Sequence, residues 1–315
     1  MSEFLEKLHV QSNKVLFIEL AGLLHDIGKL SKVFLEYRQK WQDLSNGYDI
    51  DPHEKNYLDN HEVFANLIPS GFENHKIPAN IDLGELNFSI KKAVDFHIKP
   101  GEELILKMLK AADSLDSAID RNNPLWSAEQ KGKIFRSNVF GYEGNRIVTV
   151  ESQEEARQEL YTFLRGLLPD YFERFNCEAR KEILKGIKKA FEQGLADTTR
   201  PQNDTTLWEH SYAVASILKV IVVHYILCGE KLDTREKVEF GIFGIGWDGM
   251  RFLSHGQKIG DIVGRKRIIK DVKKNLKVLI EYEYPIGNEI YSDDDGIYFI
   301  VPPELDKYKE INGLG

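Results

Sequence analysis

Apolar residues recur three and four apart over roughly residues 14 to 228, which confines most of the chain to amphipathic helices sharing buried faces. From Lys14 to Trp41, the residues Leu16, Leu20, Leu23, Leu24, Ile27, Leu30, Val33 and Phe34 form a broad apolar stripe, with His25 and Asp26 beside it. The same spacing predicts helices near His61 to Leu67, Phe88 to His97, Glu103 to Arg121, Glu154 to Leu168 and Cys177 to Phe191. Arg121-Asn122-Asn123-Pro124 and Leu168-Pro169-Asp170 punctuate them as loops. The polar stretch from Ala196 to Asp204 is expected to be extended and to lead into a capping box, Thr206-Leu207-Trp208-Glu209, which opens a long helix ending near Gly229.

After Lys237 the pattern changes. Val238 to Trp247 reads as a strand, Gly260 to Tyr284 as a helix, and Glu289 to Tyr291 with Ile297 to Val301 as a hairpin turning at Ser292-Asp293-Asp294-Asp295-Gly296. Strand, helix and hairpin make about half of a ferredoxin-like unit, so this last domain is expected to be incomplete. The fold class is α+β, divided in chain order into a helical domain over 1–150, a helical linker over 151–235 and a ferredoxin-like domain over 236–315.

The chain has 315 residues, 42% hydrophobic and 29% charged, which is enough to bury a sizeable core. A net charge of -8 gives no overall attraction for a polyanion, so any nucleic-acid surface must be local or metal-mediated. Cys177 and Cys228 are far apart, without a CxxC or Cys/His cluster; a disulfide framework and a thiolate zinc site are both disfavoured, and a reducing cytoplasm fits. The first residues mix acids with apolar side chains, unlike a secretory signal. The apolar run Ala213 to Cys228, interrupted by Lys219 and His224, is expected to be a buried helix and not a bilayer span.

Leu24-His25-Asp26-Ile27-Gly28-Lys29 carries the strongest chemical signal. Adjacent histidine and aspartate on one helix offer an imidazole nitrogen and a carboxylate oxygen to one divalent cation. Gly28 permits close approach of a phosphate, and Lys29 can hold an anionic group. Two protein ligands hold a catalytic metal poorly, so further donors are sought in His61, His97 and Asp113, each on a predicted helix that can converge with others inside a bundle. Taken singly, His61 and His97 also fit surface or satisfied core positions. Asp113, flanked by Ala111 and Ala112, needs a ligand or a hydrogen bond if it is buried. His9, His53 and His75 lack comparable context and read as surface residues.

With these residues in place, the chain resembles the large subunit of type III CRISPR interference complexes, which joins an N-terminal HD nuclease domain to Palm domains. The resemblance rests on His25-Asp26-Ile27-Gly28-Lys29, His61, His97 and Ala112-Asp113-Ser114-Leu115 with Arg121. It extends through Asp197-Thr198-Thr199-Arg200-Pro201 and Leu207-Trp208-Glu209-His210-Ser211, which look like the linker and helix preceding the first Palm. On that match His210 reads as a structural helix residue, although alone it would also suit a catalytic base. Gly246-Trp247-Asp248-Gly249-Met250-Arg251-Phe252 resembles the first-strand motif of the first Palm, and Gly264-Arg265-Lys266-Arg267 the motif before its helix. Nothing matches the Gly-Gly-Asp-Asp turn of the second, cyclising Palm.

The resemblance implies an all-helical HD domain, a helical linker and a partial ferredoxin-like Palm, in an antiviral effector that hydrolyses phosphodiesters of single-stranded DNA. His25, Asp26, His61, His97 and Asp113 would hold one or two divalent ions, whether manganese, nickel, cobalt or magnesium, and Lys29 would steady phosphate charge. Implied partners are the other subunits of the ribonucleoprotein, CRISPR RNA and target nucleic acid, with ATP at the Palm as a further candidate and no membrane. Asp293, Asp294 and Asp295 read as a solvated turn, and Asp248 is out of register for sharing a metal with them. Arg265-Lys266-Arg267, Lys270, Lys273-Lys274 and Lys277 read either as a solvated face or as a local phosphate contact. The alternatives are a nucleotide phosphohydrolase using the same ligands and a non-catalytic scaffold with a degenerate Palm.

Overall fold

The helical spacing is realised in a computed structural model that describes residues 3–30, 90–94, 103–121, 135–136, 146–147, 150–167, 177–194, 202–203, 205–228 and 239–303. The described helices are α1 (Glu3–Leu24), the short α2 (Ile90–Val94), α3 (Leu104–Arg121), α4 (Val150–Leu167), α5 (Cys177–Phe191), α6 (Leu207–Cys228), α7 (Gly249–Ser254) and α8 (Ile259–Lys277). Among the described residues helix dominates and the strands are short, which is compatible with an α+β class.

The chain forms two compact units. One comprises 1–19, 80–84 and 216–315, and the other 20–79 and 85–215. The first 19 residues join the unit that holds the C-terminal sheet, and α1 and α6 each contribute residues to both.

In the second unit, α3 buries Ile105, Leu106, Met108, Leu109 and Ala112, within the stretch from Glu103 to Arg121 expected to be helical. Helix α4 buries Ala156, Leu160 and Leu164, and α5 buries Ile183, Ile187, Ala190 and Phe191. These two helices approach closely at Gly186, where a Cβ would sit 2.2 Å from the Phe163 ring. Any larger residue there would require the Phe163 ring to shift. Three two-residue strands form a small sheet: β1 (Phe135–Arg136) pairs antiparallel with β2 (Arg146–Ile147) and parallel with β3 (Gln202–Asn203). Only β3 falls in a stretch expected to be extended. Thr206 then opens α6 through the capping box, its amide donating to Glu209 Oε2 at 2.8 Å.

In the first unit, β4 (Gly241–Gly246), β5 (Asn288–Asp293) and β6 (Gly296–Val301) form an antiparallel sheet in the order β4-β6-β5. Central strand β6 buries Ile297, Phe299 and Val301, and with Ile280 they make a core against which Ile245, Trp247, Leu276 and Ile286 pack. The expected helix over 260–284 is α8 followed by one wider turn with π hydrogen bonding over Val278–Glu283. The β5–β6 hairpin turns at Asp294–Asp295 and carries a bulge between Glu289 and Tyr291. The turn is clamped onto the end of β4: Trp247 N donates to Asp295 O at 2.8 Å, and its indole donates to Asp294 O at 2.7 Å.

A buried polar knot secures the same unit. Lys219 of α6, fully buried, donates to Glu281 O and to Asn288 Oδ1, each at 2.8 Å, and lies 3.4 Å from Glu19 of α1. Asn288, at the start of β5, donates to Glu19 at 2.8 Å and to Ser216 at 2.9 Å. Among the described residues, α6 is the one helix long and apolar enough to cross a membrane. It is mostly buried, and its interior carries this lysine knot.

Candidate metal centre

Helix α1 ends at Leu24, so His25 and Asp26 do not lie on a helix as expected. They occupy the turn between α1 and a short 3-10 segment, Ile27–Leu30. The last turn of a helix leaves carbonyls without intrahelical partners. His25 uses one of these: its Nδ1 lies 2.6 Å from Gly22 O and must donate, since a carbonyl only accepts. In the neutral ring, Nε2 is then the lone-pair nitrogen, and it points inward.

Three further side chains meet it. His25 Nε2 lies 3.4 Å from Asp26 Oδ2 and 3.9 Å from Asp113 Oδ1 of α3. His210, in the first turn of α6, places Nε2 3.1 Å from Asp26 Oδ2 and 3.5 Å from Asp113 Oδ1. Donor atoms of His25, Asp26 and His210 all lie within 4.8 Å of one another. Ligands around one cation at about 2.1 Å stand about 3.0–3.4 Å apart. The Asp26 oxygen meets that spacing to both histidines, at 3.4 and 3.1 Å, whereas Asp113 stands wider, at 3.9 and 3.5 Å. The donor set, two imidazoles and two carboxylates, suits a transition metal better than the all-oxygen shell preferred by magnesium.

All four side chains are buried. Burial lowers the pKa of His25, outweighing the attraction of Asp26 and Asp113. His210 goes the other way, up to about 10: burial and the Lys29 ammonium push it down, but hydrogen bonds to Asp113, Asp116 and Asp26 prevail. Asp113 lies below the ordinary carboxylate range, because His210 and His25 overcome the upward push of burial. Ser117, one turn on, also donates to Asp113 at 3.3 Å. Lys29, assigned from sequence to a substrate phosphate, places Nζ 2.5 Å from Asp26 Oδ2 and so holds that carboxylate in place.

The structure thus brings together His25, Asp26, Lys29 and Asp113. His61 and His97 lie outside the described residues. His210 is the residue that sequence reasoning missed, having read it as a structural part of a helix. One signal was present: His210 interrupts the buried stripe Leu207, Val214, Leu218 and Ile221 with a group that needs polar partners.

The aspartates of the hairpin are otherwise employed. Asp293 accepts from the Asp295 amide and the Tyr291 hydroxyl, Asp295 accepts from the Met250 amide at 3.0 Å, and Asp294 lies 3.7 Å from Lys266. Asp248 caps α7, accepting from the Arg251 amide at 3.0 Å. Part of the basic run is likewise engaged: Arg265 donates to Phe252 O, Lys273 donates to Asp293 O, and Lys277 pairs with Glu289 at 2.5 Å.

Compared with known proteins, the chain matches no family profile and no curated sequence significantly.

Proposed function

We propose that this chain is a metal-dependent phosphohydrolase of the HD type, acting on phosphodiesters of single-stranded DNA as the large subunit of a type III CRISPR effector. The grouping of His25, Asp26 and His210, with Asp113 beside the two histidines, carries the hydrolase reading. The finer assignment draws on the sequence resemblance, including the linker and first-Palm motifs.

In this reading, His25 and His210 present Nε2, and Asp26 and Asp113 each present an oxygen, to one divalent cation. Such an ion supplies Lewis-acid polarisation of the phosphate and lowers the pKa of the attacking water. The protein's own groups do the rest. Gly22 fixes the ring of His25, Lys29 holds Asp26, and burial removes competing water from the donors.

The burial of all four donors also favours a second reading, hydrolysis of a small nucleotide whose single phosphate can enter a closed site. The test is metal analysis of the purified protein together with a panel of single-stranded DNA, RNA and nucleotides. Metal-dependent cleavage of single-stranded DNA is expected, falling at least about a hundredfold in a folded His25→Ala/Asp26→Ala variant. Undiminished cleavage by that variant would place the chemistry elsewhere, and hydrolysis of nucleotides alone would select the second reading.

A further inference from the structure

Asp116 lies one helical turn beyond Asp113 on α3, so both carboxylates project from the same face. They take opposite edges of one imidazole. Asp113 Oδ1 is 3.5 Å from His210 Nε2, whereas Asp116 Oδ2 is 2.6 Å from His210 Nδ1. A histidine that ligates a metal through one nitrogen needs an acceptor on the other, because that acceptor fixes both the tautomer and the ring orientation. His25 obtains this from the carbonyl of Gly22. His210 obtains it from a side chain.

We infer that Asp116 is the positioning residue that makes His210 a metal ligand, holding Nδ1–H so that Nε2 faces Asp26 and Asp113. This rests on the proposed metal site and adds a residue that does not itself touch the ion. Asp116 is more exposed than the donors, its side chain retaining 25% of its accessibility against 8% for His210. It therefore stands at the rim, where its removal leaves a solvated gap and not a buried void, and the fold is expected to survive its substitution.

The experiment measures binding of cobalt(II) by equilibrium dialysis, with the visible absorption of the bound ion as a second readout. Wild-type protein is compared with Asp116→Ala, Asp116→Asn and His25→Ala, each checked for folding by circular dichroism. Asp116→Ala is expected to weaken cobalt binding about 10- to 100-fold and to alter the absorption bands. Asp116→Asn is expected to stay close to wild type, because the amide oxygen accepts the same Nδ1–H bond. His25→Ala is expected to lose the ion. Wild-type affinity and spectrum in Asp116→Ala would overturn the inference while leaving the metal site standing. Equal losses in the alanine and asparagine variants would also overturn it, since an acceptor would not then be what matters. Unchanged binding by His25→Ala, or none by wild type, would remove the metal site itself and the role of Asp116 with it.

Discussion

In the metal-free protein, the carboxylates of Asp26, Asp113 and Asp116 hold a proton on His210 well above the neutral range. A group whose pKa rises on folding stabilises the folded state fully below its unfolded value, near 6.5, and loses that contribution as pH climbs through about 10. Asp113 is shifted the opposite way, so its contribution is present above its unfolded value of 3.8 and is lost as pH falls further. Urea denaturation with a chelator present should therefore show stability falling steadily on the alkaline side, and His210→Gln should flatten that limb. A wild-type limb as flat as the variant's would contradict the raised pKa. His25, Asp26 and Asp113 were legible in the sequence because adjacency and flanking alanines mark them as polar groups in apolar surroundings. His210 was not, because only folding brings the first turn of α6 to the turn after α1, and its neighbours Trp208, Glu209 and Ser211 describe an ordinary helix start.

Helix α6, which carries His210, and helix α1, which ends just before His25, are also joined by the knot of Glu19, Ser216, Lys219 and Asn288. A lysine with no exposed surface is tolerable only if its charge and donors are met. Lys219→Met should cost about 3–5 kcal/mol, because it leaves the Glu19 carboxylate buried without its cation. Adding Glu19→Gln should recover part of that loss, and chemical denaturation of the two single variants and the double gives the coupling directly. Strict additivity would show that the pair does not interact. Long elements such as α3, α5 and α6 were legible because apolar periodicity accumulates over several turns. The strands β1, β2 and β3, two residues each, are too short to display any period. The change to π hydrogen bonding after Lys277 was equally hidden: its buried Ile280 and Glu281 serve the core and the Lys219 knot, which are tertiary demands.

At the scale of the whole molecule, the carboxylate-rich hairpin invites comparison with nucleotide-cyclising Palms, but its acids are spent on amides, a hydroxyl and a lysine at the turn. Phosphoryl transfer of that kind needs carboxylates free to hold two metals in line with the reacting oxygens. Incubation with ATP and magnesium or manganese should yield no oligoadenylates by chromatography and mass spectrometry. Their appearance, and loss on Asp294→Ala/Asp295→Ala substitution, would make the hairpin an active site. A linear reading divides a chain by position, whereas compact units are defined by contacts that ignore chain order. The unit that holds the β4-β6-β5 sheet takes residues from 1–19, 80–84 and 216–315, while the other occupies the intervals between. The consequence is genetic: no single cut in the gene for this chain yields either unit intact.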